Sequence, residues 1–414
     1  MMALNENTVY FLKLIKQYCN SGGEDLSKPE FVEQADLEKI LMLAVCNNCG
    51  LLLYHTIRDW GVACGLKSST LQTFKEQMLI SAILQVRADN ELKEVLEELN
   101  QAGVKYLLLK GVILSAMYPD SSYRRSSDAD IHVSDEYFEQ AADVLTRRGY
   151  ICIQKESIQY ETTFELVGVL SIELHTRLFE AFYDKNRSAI AAAGLDLPSS
   201  RREIRVLDTV VETLSINHFF VYVICHHTKH FITSGITLRH LIDLRMYVNE
   251  YSNQLDWDYI ISSMERFHIK DFVLNVLYIC QHYLGMVDVS FLYDNIDEDI
   301  VTMLIYDIVE RNSENDNILK RDSARDIVYE AYFNKGDKKN TFNTIIASYF
   351  PSRKVLSKTY AYVKEYPILL PIAWLQRSCS YIQRRITRQK ILSPTERAKL
   401  ATERVELLKR VGIL

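Results

Sequence analysis

Asp128 and Asp130 stand two residues apart in the run DADIHV, where Ala129, Ile131 and Val133 alternate with Asp128, Asp130 and His132. That alternation is the period of a half-buried strand, so both carboxylates project from one face, roughly 7 Å apart by the strand rise. A second alternating run, LSIELH, sets Leu170, Ile172 and Leu174 on one side and Ser171, Glu173 and His175 on the other. Pairing of two such strands would bring Glu173 beside Asp128 and Asp130. Carboxylates gathered in this way repel one another unless a cation lies between them. Oxygen-only ligands suit a hard ion such as Mg2+ (or Mn2+). A three-carboxylate site can hold two such ions, one activating an acceptor oxygen and one carrying a nucleoside triphosphate. The pattern therefore points to metal-dependent phosphoryl or nucleotidyl transfer. Glu161 and Glu165 are weaker rivals for the third carboxylate.

Such residues need a sheet to present them. The apolar run Val104 to Leu109 reads as a buried strand; Lys110-Gly111 follows, then a helical pattern from Val112 to Tyr118 that Pro119 stops. Beyond the acidic strand, Glu136 to Arg148 reads as an amphipathic helix closing at Gly149, and Tyr150 to Gln154 as a short strand. Tyr160 to Leu166 and Val169 to His175 read as a hairpin around Val167-Gly168. The first hundred residues are helical in period, over Asn7 to Tyr18, Glu38 to Trp60 and Leu71 to Leu99. On the far side, Asp208 reads as the N-cap of a helix with Glu212 near its first turn, leading into the apolar stretch Val210 to Cys225. The expected fold is mixed α+β, with a mixed β-sheet flanked by helical regions. Its expected parts are an N-terminal helical region 1–103, an α/β core 104–207, a helical domain 208–340 completing the cleft, and a basic helical tail 341–414.

Composition narrows the partners. With 48 basic and 54 acidic residues the net charge is −6, which argues against wholesale coating of nucleic acid. Eight cysteines scattered without framework spacing suggest a reducing, cytoplasmic setting. No apolar run reaches the roughly 18 residues of a membrane span, so no transmembrane segment is expected. Cys46-Asn47-Asn48-Cys49 lacks the second ligand pair of a zinc site and reads as a pair of packing residues. His226 and His230 share a helix face, but His227 occupies the place of the glutamate in a zinc-protease motif. Between Arg377 and Arg410 ten basic residues meet three acidic ones, so this tail either docks on the acidic body or contacts an anionic partner.

Ser127-Asp128-Ala129-Asp130 resembles the carboxylate strand of the DNA polymerase beta-like nucleotidyltransferase superfamily. One bacterial nucleotidyltransferase family is similar in more detail: Leu109-Lys110-Gly111, Tyr118-Pro119, Arg124 four residues before the acidic pair, and Glu173-Leu174-His175 followed by Arg177. His226, Lys229, His230, Arg239 and Asp243 match a later helical element, and Tyr366 to Pro371 and the closing LLKRVGIL fit as well. The resemblance spans most of the chain from about residue 40. It implies that Asp128, Asp130 and Glu173 are catalytic and hold the metal, Glu173 alternatively serving as base. It implies that Lys110, Gly111, Arg124, His175, His226, Lys229, His230 and Arg239 bind nucleotide and phosphate.

One departure stands out. The superfamily places Gly-Ser at the turn before the carboxylates, whereas here the turn is Lys110-Gly111, and Ser115 lies a helical turn further on. The lysine either supplies positive charge to a triphosphate in place of the hydroxyl, or marks a fold that kept its shape and lost turnover. The expected activity is transfer of a nucleoside monophosphate from a nucleoside triphosphate to an acceptor, a small molecule or sugar rather than RNA or protein, with release of pyrophosphate. A non-catalytic binding or regulatory module is the alternative.

Overall fold

The change of period at residue 104 marks the start of a five-stranded mixed sheet. The computed structural model describes residues 3–155 except 25 and 127, 161–179, 190, 193–195, 200–311 except 294 and 295, 328, 350, 353–357, 360, 362–376 and 394–414. The chain divides into two compact units, Met1–His227 with Ile236–Ser313, and Thr228–Gly235 with Glu314–Leu414.

The first unit opens with helices α1 (Glu6–Ser21), α2 (Leu37–Cys46), α3 (Gly50–Ile57) and the long α4 (Ser68–Gln101). The single helix expected over Glu38 to Trp60 is two. Asn48 takes a left-handed backbone (φ 57°), and the buried Asn47 side chain pins the break through the carbonyls of Leu43 and Val309 and the amide of Leu238. An asparagine in that conformation ends a helix as glycine does. The Cys46–Cys49 spacing is this turn, with Cys49 buried and its Sγ 3.2 Å from the Asn47 carbonyl.

The sheet comprises β1 (Tyr106–Leu109), β2 (Asp128–Val133), β3 (Ile151–Lys155), β4 (Glu161–Leu166) and β5 (Leu170–His175), in the order β1-β2-β5-β4-β3. Helix α5 (Gly111–Ser115) follows β1, and α6 (Asp135–Arg147) follows β2. All pairings are antiparallel except β2 with β5, which is parallel and joins Asp130 to Glu173 in register. Apolar faces of β2 and β5 bury Ala129, Ile131, Val133, Leu170, Ile172 and Leu174, as their alternation demands. Helix α4 is clamped to the end of α6 by Arg148, whose guanidinium meets Glu91, Glu94 and Glu98 at 2.9, 2.6 and 2.5 Å.

Residues 201–214 correct a second expectation. Asp208 does not cap a helix; β6 (Arg201–Val206) and β7 (Thr209–Leu214) form an antiparallel ribbon around it. Leu207 and Asp208 both have positive φ, 49° and 60°, the backbone of a two-residue hairpin turn. Thr213 on β7 donates its hydroxyl to the Leu108 carbonyl at 2.7 Å, tying the ribbon to β1. The apolar stretch then forms α7 (Ile216–Thr233), followed by α8 (Leu238–Glu250), α9 (Trp257–Arg266), α10 (Lys270–Leu284) and α11 (Glu298–Ile305). The first unit thus joins a mixed sheet to helices on both sides in sequence, the α+β class expected.

In the second unit, α12 (Arg353–Leu356) and α13 (Tyr362–Glu365) contribute Leu356 and Val363 to a small core with Ala373, against which Tyr360, Tyr362, Leu370 and Trp374 pack. Helix α14 (Pro394–Arg410) places the Arg404 guanidinium 4.1 Å over the Phe231 ring, donating to the Phe231 carbonyl as well. The rest of the basic tail, 377–393, lies outside the described residues, as does Ser127. Among the described residues no helix is long and apolar enough to cross a membrane.

Candidate active site

The polar face of the β2–β5 pair gathers the acidic and imidazole side chains singled out in the sequence. Parallel register places Asp130 opposite Glu173 and His132 opposite His175. Among the described residues, one group of potential metal ligands has its atoms within 4.8 Å of one another: Asp130, Glu173 and His175. His175 Nε2 is 3.0 Å from Asp130 Oδ1 and 3.6 Å from Glu173 Oε2, while its Nδ1 is 4.0 Å from Glu161 Oε2. Asp128, on the same strand face, is not within this group. It is held instead by Ser126, whose hydroxyl donates to the Asp128 carboxylate at 3.1 Å and lies 3.1 Å from its carbonyl.

Lys110 completes the cluster. Leu109 pairs with Asp130 across β1 and β2, and the next residue turns back with φ 44° and ψ −109°. That is a sparsely populated conformation for a side chain with a Cβ, of the kind that concentrates at functional sites. It sends the ammonium to 2.6 Å from Asp130 Oδ1 and 3.1 Å from His226 Nδ1 on α7, under the Tyr222 ring at 6.0 Å. Asp130 Oδ1 therefore accepts from both Lys110 and His175.

Electrostatics follow from these contacts. Burial opposes the charge on Asp130, but Lys110 and His175 outweigh it and hold the carboxyl well below the usual range. Burial also opposes the charge on Lys110, yet Asp130, Tyr222 and Glu173 keep the ammonium well above its ordinary value. His175 is raised in the same way, burial being outweighed by Asp130 and Glu173. Asp128 moves the other way: burial first, then the charges of Asp130 and Glu173, lift its carboxyl above the usual range.

The donor set fits a divalent cation. Asp128, Asp130, Glu173 and Glu161 bring more negative charge than Lys110 and His175 neutralise, and the ligand atoms of the cluster already converge. The set is not the oxygen-only one expected: an imidazole joins two carboxylates, a combination that also admits softer ions than magnesium. His175 was expected on the phosphates; it stands among the carboxylates.

Arg124 departs most from its expected place. Its Nε and Nη2 donate to the two oxygens of Asp243 at 2.7 and 2.8 Å, and Tyr118 Oη donates to the same carboxylate at 2.7 Å. The pair is 5% and 0% exposed, so Arg124 acts here as a buried fork on a carboxylate rather than a charge presented to phosphate. Its Nη1 is buried with no hydrogen-bond partner among the described residues. Arg239, one helical turn before Asp243, donates from Nη1 to the Arg125 carbonyl at 3.3 Å. Burial and the Arg124 charge hold it below its usual range. Lys229 and His230 continue α7 within the second unit, where His230 Nδ1 lies 3.3 Å from Ser234 Oγ.

Gly111 lies where the sequence placed it, opening α5, with the hydroxyl of Ser126 beside it. A Cβ on Gly111 would come within 3.2 Å of Ser126 Oγ and 3.5 Å of the Asp128 carbonyl. Ser115 instead bonds the Val112 carbonyl. Ser126 escaped notice because its hydroxyl reaches the turn through space; its one sequence signal is its place two residues before Asp128.

Comparison with known proteins bears on this span. The family model described as "Uncharacterised nucleotidyltransferase" matches residues 33–285. The chain belongs to that nucleotidyltransferase family. The matched residues contain the whole carboxylate cluster, Lys110, the Arg124–Asp243 pair and α7. None of the curated proteins matches the sequence. Among solved structures, one of tRNA nucleotidyltransferase complexed with a primer tRNA and an incoming ATP analog is similar at 13% identity, covering 76% of this chain and 96% of that one, with a TM-score of 0.21. Similarity that low bears on neither fold nor substrate.

Proposed function

We propose that this nucleotidyltransferase-family chain is a metal-dependent enzyme that moves a nucleoside monophosphate from a nucleoside triphosphate to the hydroxyl of a small molecule or sugar. The observation that carries the reading is the parallel register of Asp130 with Glu173, which gathers those carboxylates and His175 within 4.8 Å. These three residues would hold a divalent cation, magnesium or manganese. When bound, the ion supplies charge neutralisation to the triphosphate and lowers the pKa of an attacking hydroxyl. Lys110 adds a positive charge at the same place, and Gly111, buried at the start of α5, carries no side chain to stand between its backbone and a phosphate. Asp128, whose carboxylate is made more basic by burial and by the charges of Asp130 and Glu173, takes the acceptor proton. The acceptor oxygen forms a bond to the α-phosphorus, the α–β bridge bond breaks, and pyrophosphate leaves with its electron pair. The net charge of −6 supports a small acceptor over a nucleic acid.

A second reading is favoured by one observation. The Lys110 ammonium already satisfies Asp130 at 2.6 Å, which is what a binding module without turnover would require. The test is calorimetric titration of each of four nucleoside triphosphates, with magnesium or manganese, onto the wild-type chain and Asp130→Asn. The enzyme reading expects metal-dependent binding that falls at least about tenfold in the variant, since one ligand carboxylate is lost. No triphosphate binding by folded wild-type protein contradicts it.

A further inference from the structure

We propose that Lys110 is the resident cation of the carboxylate cluster. It holds the place beside Asp130 until a divalent ion and a nucleoside triphosphate arrive together, and then moves from the carboxylate to the triphosphate. This rests on the metal-dependent reading above and extends it to the order of loading.

The position is built for an ammonium. Nζ lies 2.6 Å from Asp130 Oδ1, and His226 Nδ1 accepts at 3.1 Å, with the Tyr222 ring 6.0 Å away. The lysine side chain is 11% exposed and that of Asp130 is 5% exposed, so water screens the contact little. A strained backbone at φ 44° delivers the lysine there, a conformation that persists only where its surroundings hold it. Asp130 is one of the three residues whose ligand atoms converge, and its Oδ1, the oxygen that meets Lys110, also lies 3.0 Å from His175 Nε2. A metal ion on that oxygen would share it with the ammonium, and two cations on one carboxylate oxygen repel each other. Metal alone therefore competes with a tethered charge. A triphosphate removes the competition, because its oxygens offer the ammonium an equivalent partner. Loading of metal and of nucleotide is then linked, each tightening the other.

The consequence is opposite to that of an ordinary phosphate-binding lysine, whose removal weakens nucleotide and leaves metal affinity untouched. The test measures Mn2+ binding to the full chain by the electron paramagnetic resonance of free Mn2+, with and without a non-hydrolysable triphosphate. It uses wild type, Lys110→Met and Lys110→Arg. Wild type should bind Mn2+ weakly alone and about tenfold or more tighter with nucleotide, the order expected when a unit charge is moved off a shared ligand. Lys110→Met should bind Mn2+ alone about tenfold tighter than wild type, so that nucleotide tightens it less than it tightens wild type. Lys110→Arg keeps the charge and should remain weak. If Lys110→Met does not fold, Lys110→Gln, which keeps a hydrogen-bonding side chain without the charge, takes its place, and tighter Mn2+ binding without nucleotide is again the expected result. Equal Mn2+ affinity of wild type with and without nucleotide, or a folded Lys110→Met that binds metal no tighter, overturns the proposal. Absence of Mn2+ binding in every form, nucleotide included, overturns the metal-dependent reading itself.

Discussion

Replacing Arg124 by lysine should destabilise the first unit by about 3 kcal/mol and leave triphosphate affinity within about threefold of wild type. Two parallel bonds of 2.7 and 2.8 Å join its guanidinium to Asp243, and both partners are almost wholly buried. Charge-assisted bonds of this kind are each worth about 1.5–3 kcal/mol. Lysine keeps the charge but presents a point rather than a fork, so it restores one bond at most. It also removes the ring-like arrangement that fixes the carboxylate for Tyr118. Removing a partner from a buried pair outright costs about 3–5 kcal/mol, which bounds the effect from above. Urea unfolding followed by the fluorescence of Trp60 and Trp257, both in the first unit, reads the change. Near pH 7 the full effect is present. Burial opposes the Asp243 charge, but Arg124 and Arg239 hold its carboxyl below the usual range, so the pair's contribution is complete above about pH 4 and is lost as pH falls through the folded value. An unchanged midpoint together with a tenfold loss of triphosphate affinity would refute the reasoning and restore Arg124 to the phosphates.

The acid side of the stability curve should depend on His227. Burial holds its imidazole at about 3 in the folded chain, so unfolding takes up a proton between there and about 6.5, and stability is lost as pH falls across that window. From pH 7 to 5 this amounts to about 2 kcal/mol, a slope that His227→Gln should flatten while His132, held at about 4 chiefly by burial, retains its own part. An unaltered slope in the variant rejects this assignment. Gly111→Ala should change stability by no more than about 1 kcal/mol, because better helix propensity offsets the tight contact its Cβ makes with Ser126 Oγ. Triphosphate affinity should nonetheless fall about tenfold as the backbone closes to phosphate; wild-type binding in Gly111→Ala would show that phosphate does not approach this turn.

The strands that carry the site were legible because their periods are unambiguous. Asp128 and Asp130 alternate with buried Ala129 and Ile131, and Glu173 with Ile172 and Leu174, so two polar faces could be drawn before their pairing was known. Register supplied what alternation lacks, namely that Asp130 rather than Asp128 faces Glu173. The Lys110 contact was hidden because it depends on a positive φ at a residue whose type does not favour one. Arg124 and Asp243 lie 119 residues apart, and charge pairing at that separation leaves no local trace. Thr209 to Leu214 has the look of helix because Val210, Val211 and Leu214 also fit helical spacing, and the turn before it uses Leu207-Asp208 in place of the Asn-Gly or Asp-Gly pair that announces a hairpin. Splitting of α2 from α3 rests likewise on one left-handed asparagine within an apolar run.

The transfer itself is tested most directly by following two labels. Triphosphates carrying radioactive phosphorus at either the α or the γ position are incubated with the chain, a divalent metal and a small-molecule cell fraction. The products are then separated for wild type and Asp130→Asn. Nucleotidyl transfer predicts α-label joined to a new small-molecule product and γ-label recovered in pyrophosphate, with both lost in the variant. Appearance of γ-label on the acceptor, or equal α-labelling by Asp130→Asn, would contradict it.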